Sequence, residues 1–127
     1  MTHKQRSIWG ALFCGTALIF GAFGAHLLEQ WLSAATLESF EVGVRYQFFH
    51  GLALLFLSLE KNALIKRSAT LFVVGVFLFS GSIYGLSLSA NTSFSMLSKV
   101  LGPITPIGGL LLISGWVSMF IGYIRTH

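Results

Sequence analysis

Four stretches of the chain, residues 8–28, 42–59, 69–90 and 104–124, are almost continuously apolar, and a short polar segment separates each from the next. A hydrocarbon core of roughly 30 Å is crossed by about 20 helical residues at ~1.5 Å per residue, and lipid tolerates no unpaired backbone group. The pattern therefore predicts an all-α membrane protein, a four-transmembrane-helix up-down bundle forming one integral membrane domain over residues 1–127. A short amphipathic helix is expected before the second span: Leu37, Phe40 and Val44 repeat at i, i+3 and i+7, while Glu38, Glu41 and Arg45 occupy another face. Ser33 or Thr36 is placed to cap it, and it is free to run unbroken into span two. The longest polar connector runs from Asn91 to Gly102, where Met96, Leu97, Val100 and Leu101 predict a short surface helix. Pro103 and Pro106 are expected in the first turn of span four, where a missing N–H has no partner to lose.

Composition strengthens this picture. Only 9% of residues are charged, 54% are hydrophobic and the mean hydropathy is +0.79, whereas soluble domains carry about 25% charged residues. The net charge of +4 is gathered at the ends of spans rather than along one stripe, which excludes a nucleic-acid interface and points to membrane orientation. Lys4, Arg6, Lys61, Lys66, Arg67 and Arg125 fall on one side of the predicted bundle, against Arg45 and Lys99 on the other. By the positive-inside rule both termini are expected in the cytoplasm or its topological equivalent. The basic residues and apolar run at the start, with Ala22-Phe23-Gly24 beyond them, have the outline of a signal peptide, but 21 apolar residues exceed an h-region of about 7–15 and read as a retained span. Cys14, the one cysteine, lies inside that span and allows neither a disulfide nor a thiolate metal site.

Helices in a bilayer associate through close packing and interhelical hydrogen bonds, which favours small residues at their contacts. Three rows fit: Ala17, Gly21 and Ala25 on span one; Gly81 and Gly85 on span three; Gly108, Gly115 and Gly122 at heptad spacing on span four. All three faces are expected to point inward.

The costly polar residues are clustered rather than scattered. His26 lies near the far end of span one; Tyr46, Gln47 and His50 open span two; Ser80, Ser82 and Tyr84 lie in the far half of span three; Thr105 begins span four. All eight fall within about 12 Å of the non-cytoplasmic boundary, so they are the candidate ligand-binding cluster. Two histidines without a nearby Cys or Asp make a poor ligand set, and the expectation is hydrogen bonding between helices, with no metal and no cofactor. Ser80-Gly81-Ser82 has no acid at comparable depth to orient a base, so no catalytic residue is assigned.

The blocks Gly21-Ala22-Phe23-Gly24-Ala25-His26, Tyr46-Gln47-Phe48-Phe49-His50, Phe79-Ser80-Gly81-Ser82-Ile83-Tyr84 and Gly102-Pro103-Ile104-Thr105-Pro106-Ile107-Gly108-Gly109, followed by Gly115-Trp116, resemble the small membrane-protein family called domain of unknown function 423. The resemblance covers nearly the whole chain. It implies bacterial inner-membrane proteins with relatives among eukaryotic transmembrane proteins, such as transmembrane protein 256, and it implies no activity. The expected function is non-enzymatic binding of a lipid-like ligand or a membrane protein partner through the far-end cluster, with the lipid bilayer as solvent, a homo-oligomer as an open arrangement, and no nucleic acid. A small transporter or proton-coupled channel is the alternative from another class, although no acidic residue lies within a span. A haem- or quinone-linked redox protein is the third.

Overall fold

The computed structural model describes residues 1–90 and 95–126, and all regular structure among them is helical. The elements are α1 (His3–Ile19), a π-helical turn (Phe20–Gly24), α2 (Ala25–Leu28), α3 (Ala34–Leu57), α4 (Ala63–Ser89) and α5 (Ser95–Thr126). The first three run on from one another, so four long rods result. Three of them, His3–Leu28, Ala63–Ser89 and Met96–Thr126, are long and apolar enough to cross a membrane. The expected count of four spans is thus met by length and apolarity in three helices, because Arg45, Gln47 and His50 lower the mean hydropathy of α3.

Local chemistry sets the helix starts. Thr2 caps α1 in a capping box with Gln5, Thr2 Oγ1 accepting from the Gln5 N–H at 3.1 Å and the Thr2 N–H donating to Gln5 Oε1 at 2.8 Å. Ser33 caps α3, as its spacing predicts, and the amphipathic segment continues without a break into the apolar half. Asn62 caps α4 through its Oδ1 and reaches the end of α5 through its Nδ2, which donates to Thr126 Oγ1 at 2.8 Å and to the Gly122 carbonyl at 3.3 Å.

Cross-links between rods give the topology. Arg6 on α1 donates to the Leu57 and Glu60 carbonyls beyond the end of α3; Ser80 late in α4 donates to the Gly43 carbonyl early in α3; Asn62 meets the end of α5. Successive rods are therefore antiparallel, and both chain ends lie at one end of the bundle. Arg6 is only 2% exposed and sits where the α3 carbonyls end, so its positive charge is matched to the negative pole of that helix. A shared core of Phe13, Leu54, Leu57, Ile65, Ala69, Phe72, Val76 and Leu112 joins all four rods at this end.

Glycines govern how closely the rods approach. The α5 face expected to point inward does so: a Cβ on Gly115 would lie 2.5 Å from the Phe72 ring, and one on Gly122 would lie 2.7 Å from Ile65 Cγ1. A Cβ on Gly108 would collide with the backbone of Leu78 and Phe79. The α4 row is corrected. Gly81 is exposed with nothing within 4 Å of its Cβ position, while Gly85 meets only the tip of Leu101; Gly75 is the α4 glycine pressed on α5, its Cβ position 2.5 Å from Leu112 Cδ2. On α1, Ala17 is buried, whereas Gly21 is exposed and Ala25 only half-buried. The α1–α3 crossing is made instead at Gly10 and Gly51, where a Cβ on either would come within 3.1 Å of the other's carbonyl oxygen.

The π turn explains why the α1 row ends where it does. The Ala25 N–H bonds back to the Phe20 carbonyl, five residues away, so one extra residue is accommodated and the helix face rotates by about 100° beyond it. Ala25 and His26 consequently leave the line of Ala17.

Two further expectations fail at the start of α5. The segment 96–101 is the first part of one helix that runs to Thr126 rather than a separate surface helix, and Pro103 and Pro106 lie inside it. Hydropathy marks where lipid begins, not where hydrogen bonding begins, and this helix starts beyond the apolar run. The remainder of the expected connector, residues 91–94, lies outside the described residues.

Candidate functional site

Gln47, 5% exposed, is the hub of the far half of the bundle. Its Nε2 donates to the Phe13 carbonyl at 3.1 Å and to Thr16 Oγ1 at 2.7 Å, and its Oε1 accepts from the Tyr84 hydroxyl at 2.7 Å. Both amide protons and the carbonyl are thereby used, joining α1, α3 and α4. The Tyr84 ring fits edge-on to Phe20 and tilted against Phe40, with centroids 5.4 and 5.1 Å away. Ser80 Oγ donates to the Gly43 carbonyl at 2.7 Å, an approach of α4 to α3 that a side chain at Gly43 would obstruct, since its Cβ position is 3.0 Å from Tyr84 Cε1.

A second group joins α3 to α5. His50 is 4% exposed; its Nδ1 pairs with the Tyr46 carbonyl at 2.7 Å, and Trp116 Nε1–H donates to its Nε2 at 3.1 Å. A carbonyl only accepts and an indole N–H only donates, so the ring is neutral with its proton on Nδ1. Phe72 lies edge-on to the imidazole at 5.0 Å. A third link, Ser82 Oγ to Thr105 Oγ1 at 2.6 Å, joins α4 to α5.

Of the eight expected cluster residues, seven thus lie on interhelical contacts: Gln47 with Tyr84, Ser80 with Gly43, Ser82 with Thr105, His50 with Trp116, and Tyr46 against the Phe79 ring at 5.1 Å. They form several separate links rather than one shared pocket. His26 is not among them; beyond the π turn it is exposed. Thr16, Trp116 and Arg6 were not anticipated as partners. Trp116 carried a readable signal, an indole N–H deep within an apolar run that must find an acceptor, whereas Thr16 and Arg6 carried none. Among the described residues no three His, Cys, Asp or Glu side chains come together as a metal site. With both nitrogens engaged, His50 has no lone pair free for a metal.

Open space lies beside these links. At the far end, α3, α4 and α5 enclose a cleft of about 680 Å³ lined by Thr36, Ser39 and Val42, by Ile83, Leu86 and Ser87, and by Gly102, Thr105 and Pro106. Its walls are apolar with hydroxyls set among them. Ser87 is 2% exposed, and among the described residues its hydroxyl has no hydrogen-bond partner. Pro106 has no N–H, so the Gly102 carbonyl cannot receive the bond that residue 106 gives in an unbroken helix. Both groups are what a polar head entering the cleft needs. Thr105 is the single member of the expected cluster that lines it.

Comparison with known proteins finds similar membrane proteins. The chain is 40% identical over 118 residues to a UPF0382 membrane protein of Staphylococcus saprophyticus, covering 91% of this chain and 92% of that one. It is 37% identical over 117 residues to a UPF0382 membrane protein of Haemophilus influenzae, covering 90% and 86%. It is 33% identical over 129 residues to the UPF0382 inner membrane protein YgdD of Escherichia coli K12, covering 98% and 93%. No solved structure matches. Residues 20–109, which include Gln47, His50, the Ser82–Thr105 link and the walls of the far-end cleft, match the family described as Protein of unknown function (DUF423), and the chain belongs to that family of membrane proteins.

Proposed function

We propose that the protein is a non-enzymatic four-span bundle, with both termini cytoplasmic, that holds a lipid-like amphiphile in the cleft between α3, α4 and α5. Three rods have the length and apolarity to span. The fourth, α3, has 24 residues, about 36 Å of helix, and its polar residues Gln47 and His50 point into the bundle while Phe49, Leu52 and Phe56 are exposed where lipid would lie. Lipid thus meets an apolar face of α3 despite its lower mean hydropathy. The excess of Lys and Arg at the end bearing the termini supports the orientation.

The observation that carries the ligand reading is the far-end cleft itself, with an uncommitted Ser87 hydroxyl and a Gly102 carbonyl released by Pro106. Its size suits an acyl chain with a small polar head. Gln47, His50, Ser80, Ser82, Tyr84 and Thr105 are engaged with one another, with Trp116 or with backbone carbonyls, which supports a binding role for the cleft beside them.

Native mass spectrometry of the full-length protein after mild detergent extraction tests this reading. The expected result is a retained amphiphile, lost when Ala35, an exposed residue on the cleft wall, is replaced by Trp. Adducts equally abundant in wild type and Ala35→Trp would overturn it.

A further inference from the structure

A second groove lies at the opposite end, on the outer surface between the first half of α4 and the last half of α5. It measures about 560 Å³; Leu71, Ile113, Val117 and Ile121 form its apolar walls, and Arg67 and Arg125 stand at its mouth. These two cations are 58 positions apart in sequence (125 − 67) and line the same groove because α4 and α5 are antiparallel, held close by Gly108, Gly115 and Gly122. Both side chains are exposed. The groove's own hydroxyls are directed elsewhere: Ser118 donates across to the Leu64 carbonyl at 3.1 Å, and Ser114 donates to Leu110 at 2.7 Å. The guanidiniums are therefore its available donors.

No acid balances them there. The chain has four acidic residues, of which Glu29, Glu38 and Glu41 belong to the other end; Glu60 accepts from the Tyr123 hydroxyl at 3.1 Å and borders a different hollow. From Arg125 to Leu111, both lining residues, α5 rises about 21 Å, which exceeds the ~15 Å depth of one hydrocarbon leaflet. The groove thus matches one molecule in shape and charge: an acyl chain along the aliphatic walls and a phosphate between two forked donors.

We infer that the α4–α5 groove is a binding site for an anionic phospholipid of the leaflet on the side of the chain termini, with Arg67 and Arg125 holding the phosphate. The site is separate from the far-end cleft and stands or falls independently of it. Basic pockets between spans recognise anionic headgroups in this way, each cation contributing attraction near the surface. Lys61 and Lys66, at the same end but outside the groove, supply only the diffuse field that any basic loop supplies.

Full-length protein reconstituted in vesicles of equal phosphatidylglycerol and phosphatidylcholine, re-extracted in mild detergent and assayed for co-purified lipid by mass spectrometry, tests the site. Wild type is expected to retain phosphatidylglycerol over phosphatidylcholine by about tenfold. Arg67→Gln/Arg125→Gln is expected to abolish that preference, and Lys61→Gln/Lys66→Gln, which removes the same charge, to keep it. Val117→Trp, filling the groove at an exposed position with both cations intact, is expected to lower retention of phosphatidylglycerol severalfold. Equal loss in the two charge-removed variants would assign the preference to the general field and overturn the site, as would an undiminished preference in Arg67→Gln/Arg125→Gln. Displacement of the lipid by millimolar inorganic phosphate would refute the acyl-chain part.

Discussion

A single methyl group separates two glycines that sequence spacing treats alike, and replacing each by alanine measures what the α4–α5 contact contributes. At Gly108 the added Cβ would stand 2.7 Å from the carbonyl carbon of Leu78 and 2.8 Å from Phe79 Cα, with the Phe79 nitrogen nearer still. These are backbone atoms that cannot rotate aside. Optimal carbon contacts lie at about 3.5–4.0 Å, so the two helices must separate by about 1 Å, and a gap of that size forfeits a quarter to a half of the dispersion energy of each contact along the seam. Overpacking costs roughly 1–3 kcal/mol, and a rigid neighbour places this case near the upper limit. Removing glycine from a helix interior returns about 1 kcal/mol, leaving a net destabilisation of about 2 kcal/mol, or roughly 30-fold in the unfolding equilibrium. At Gly81 nothing lies within 4 Å, so only the helix-propensity gain remains and Gly81→Ala is expected to stabilise by about 0.5–1 kcal/mol. Unfolding of each variant by dodecyl sulfate in mixed micelles, followed by far-ultraviolet circular dichroism, gives the comparison. Midpoints for Gly108→Ala and Gly81→Ala that agree within about 1 kcal/mol would refute the account of this seam.

Other positions offer independent checks. Gln47→Leu removes three links at once and is expected to destabilise by about 1–3 kcal/mol, Tyr84→Phe by about 1, with a double-mutant cycle showing strong coupling between them; additive losses would mean that the two do not act as a pair. Arg6→Ala should speed amide exchange in the last turn of α3 and cost about 2 kcal/mol, with Arg6→Lys restoring only part, because one ammonium can replace the single nitrogen that serves the Leu57 and Glu60 carbonyls but not the Nε–H that donates to the Thr2 carbonyl at 3.4 Å; full rescue by Lys would show that charge alone matters. Nitrogen-15 spectra of His50 should show the proton on Nδ1 in wild type, and Trp116→Phe should shift the Nε2 resonance while leaving Nδ1 bonded to Tyr46; an unchanged Nε2 would remove the indole from the arrangement.

The all-helical fold and the three helices long and apolar enough to cross a membrane were legible because bilayer thickness and backbone hydrogen bonding leave a chain of this composition few alternatives. Helix starts at Ser33 and Asn62 follow from side chains that reach their own backbone. The misplaced features share a physical cause. Hydropathy reports the environment of side chains, so it assigned residues 96–101 and the two prolines to the edge of span four, whereas the helix runs through them. Spacing identifies which small residues share a face but not which face meets a neighbour: Gly108, Gly115 and Gly122 were placed correctly, Gly81 was turned outward, and Gly10 with Gly51, far apart in sequence, gave no local sign of their crossing. The cluster residues were recognised as costly in lipid, and they do occupy helix contacts apart from His26. That they divide into separate links around Gln47, His50 and Ser82, rather than lining one cavity, depends on side-chain reach across helices. The cleft is lined largely by other residues: Ser87 carries no charge or motif, and Gly102, although it opens one of the family blocks, has no side chain to mark a site.

The clasp of Asn62 on Gly122 and Thr126 bears on how the chain is assembled as it leaves the translocon. An asparagine that caps the start of α4 cannot complete its contacts until the last residues of α5 have been synthesised, about 60 positions later, which are some seconds of elongation at 5–20 residues per second. A truncation before Gly122 would leave this hairpin without its latch, making the final helical turn the step that locks the second half of the protein.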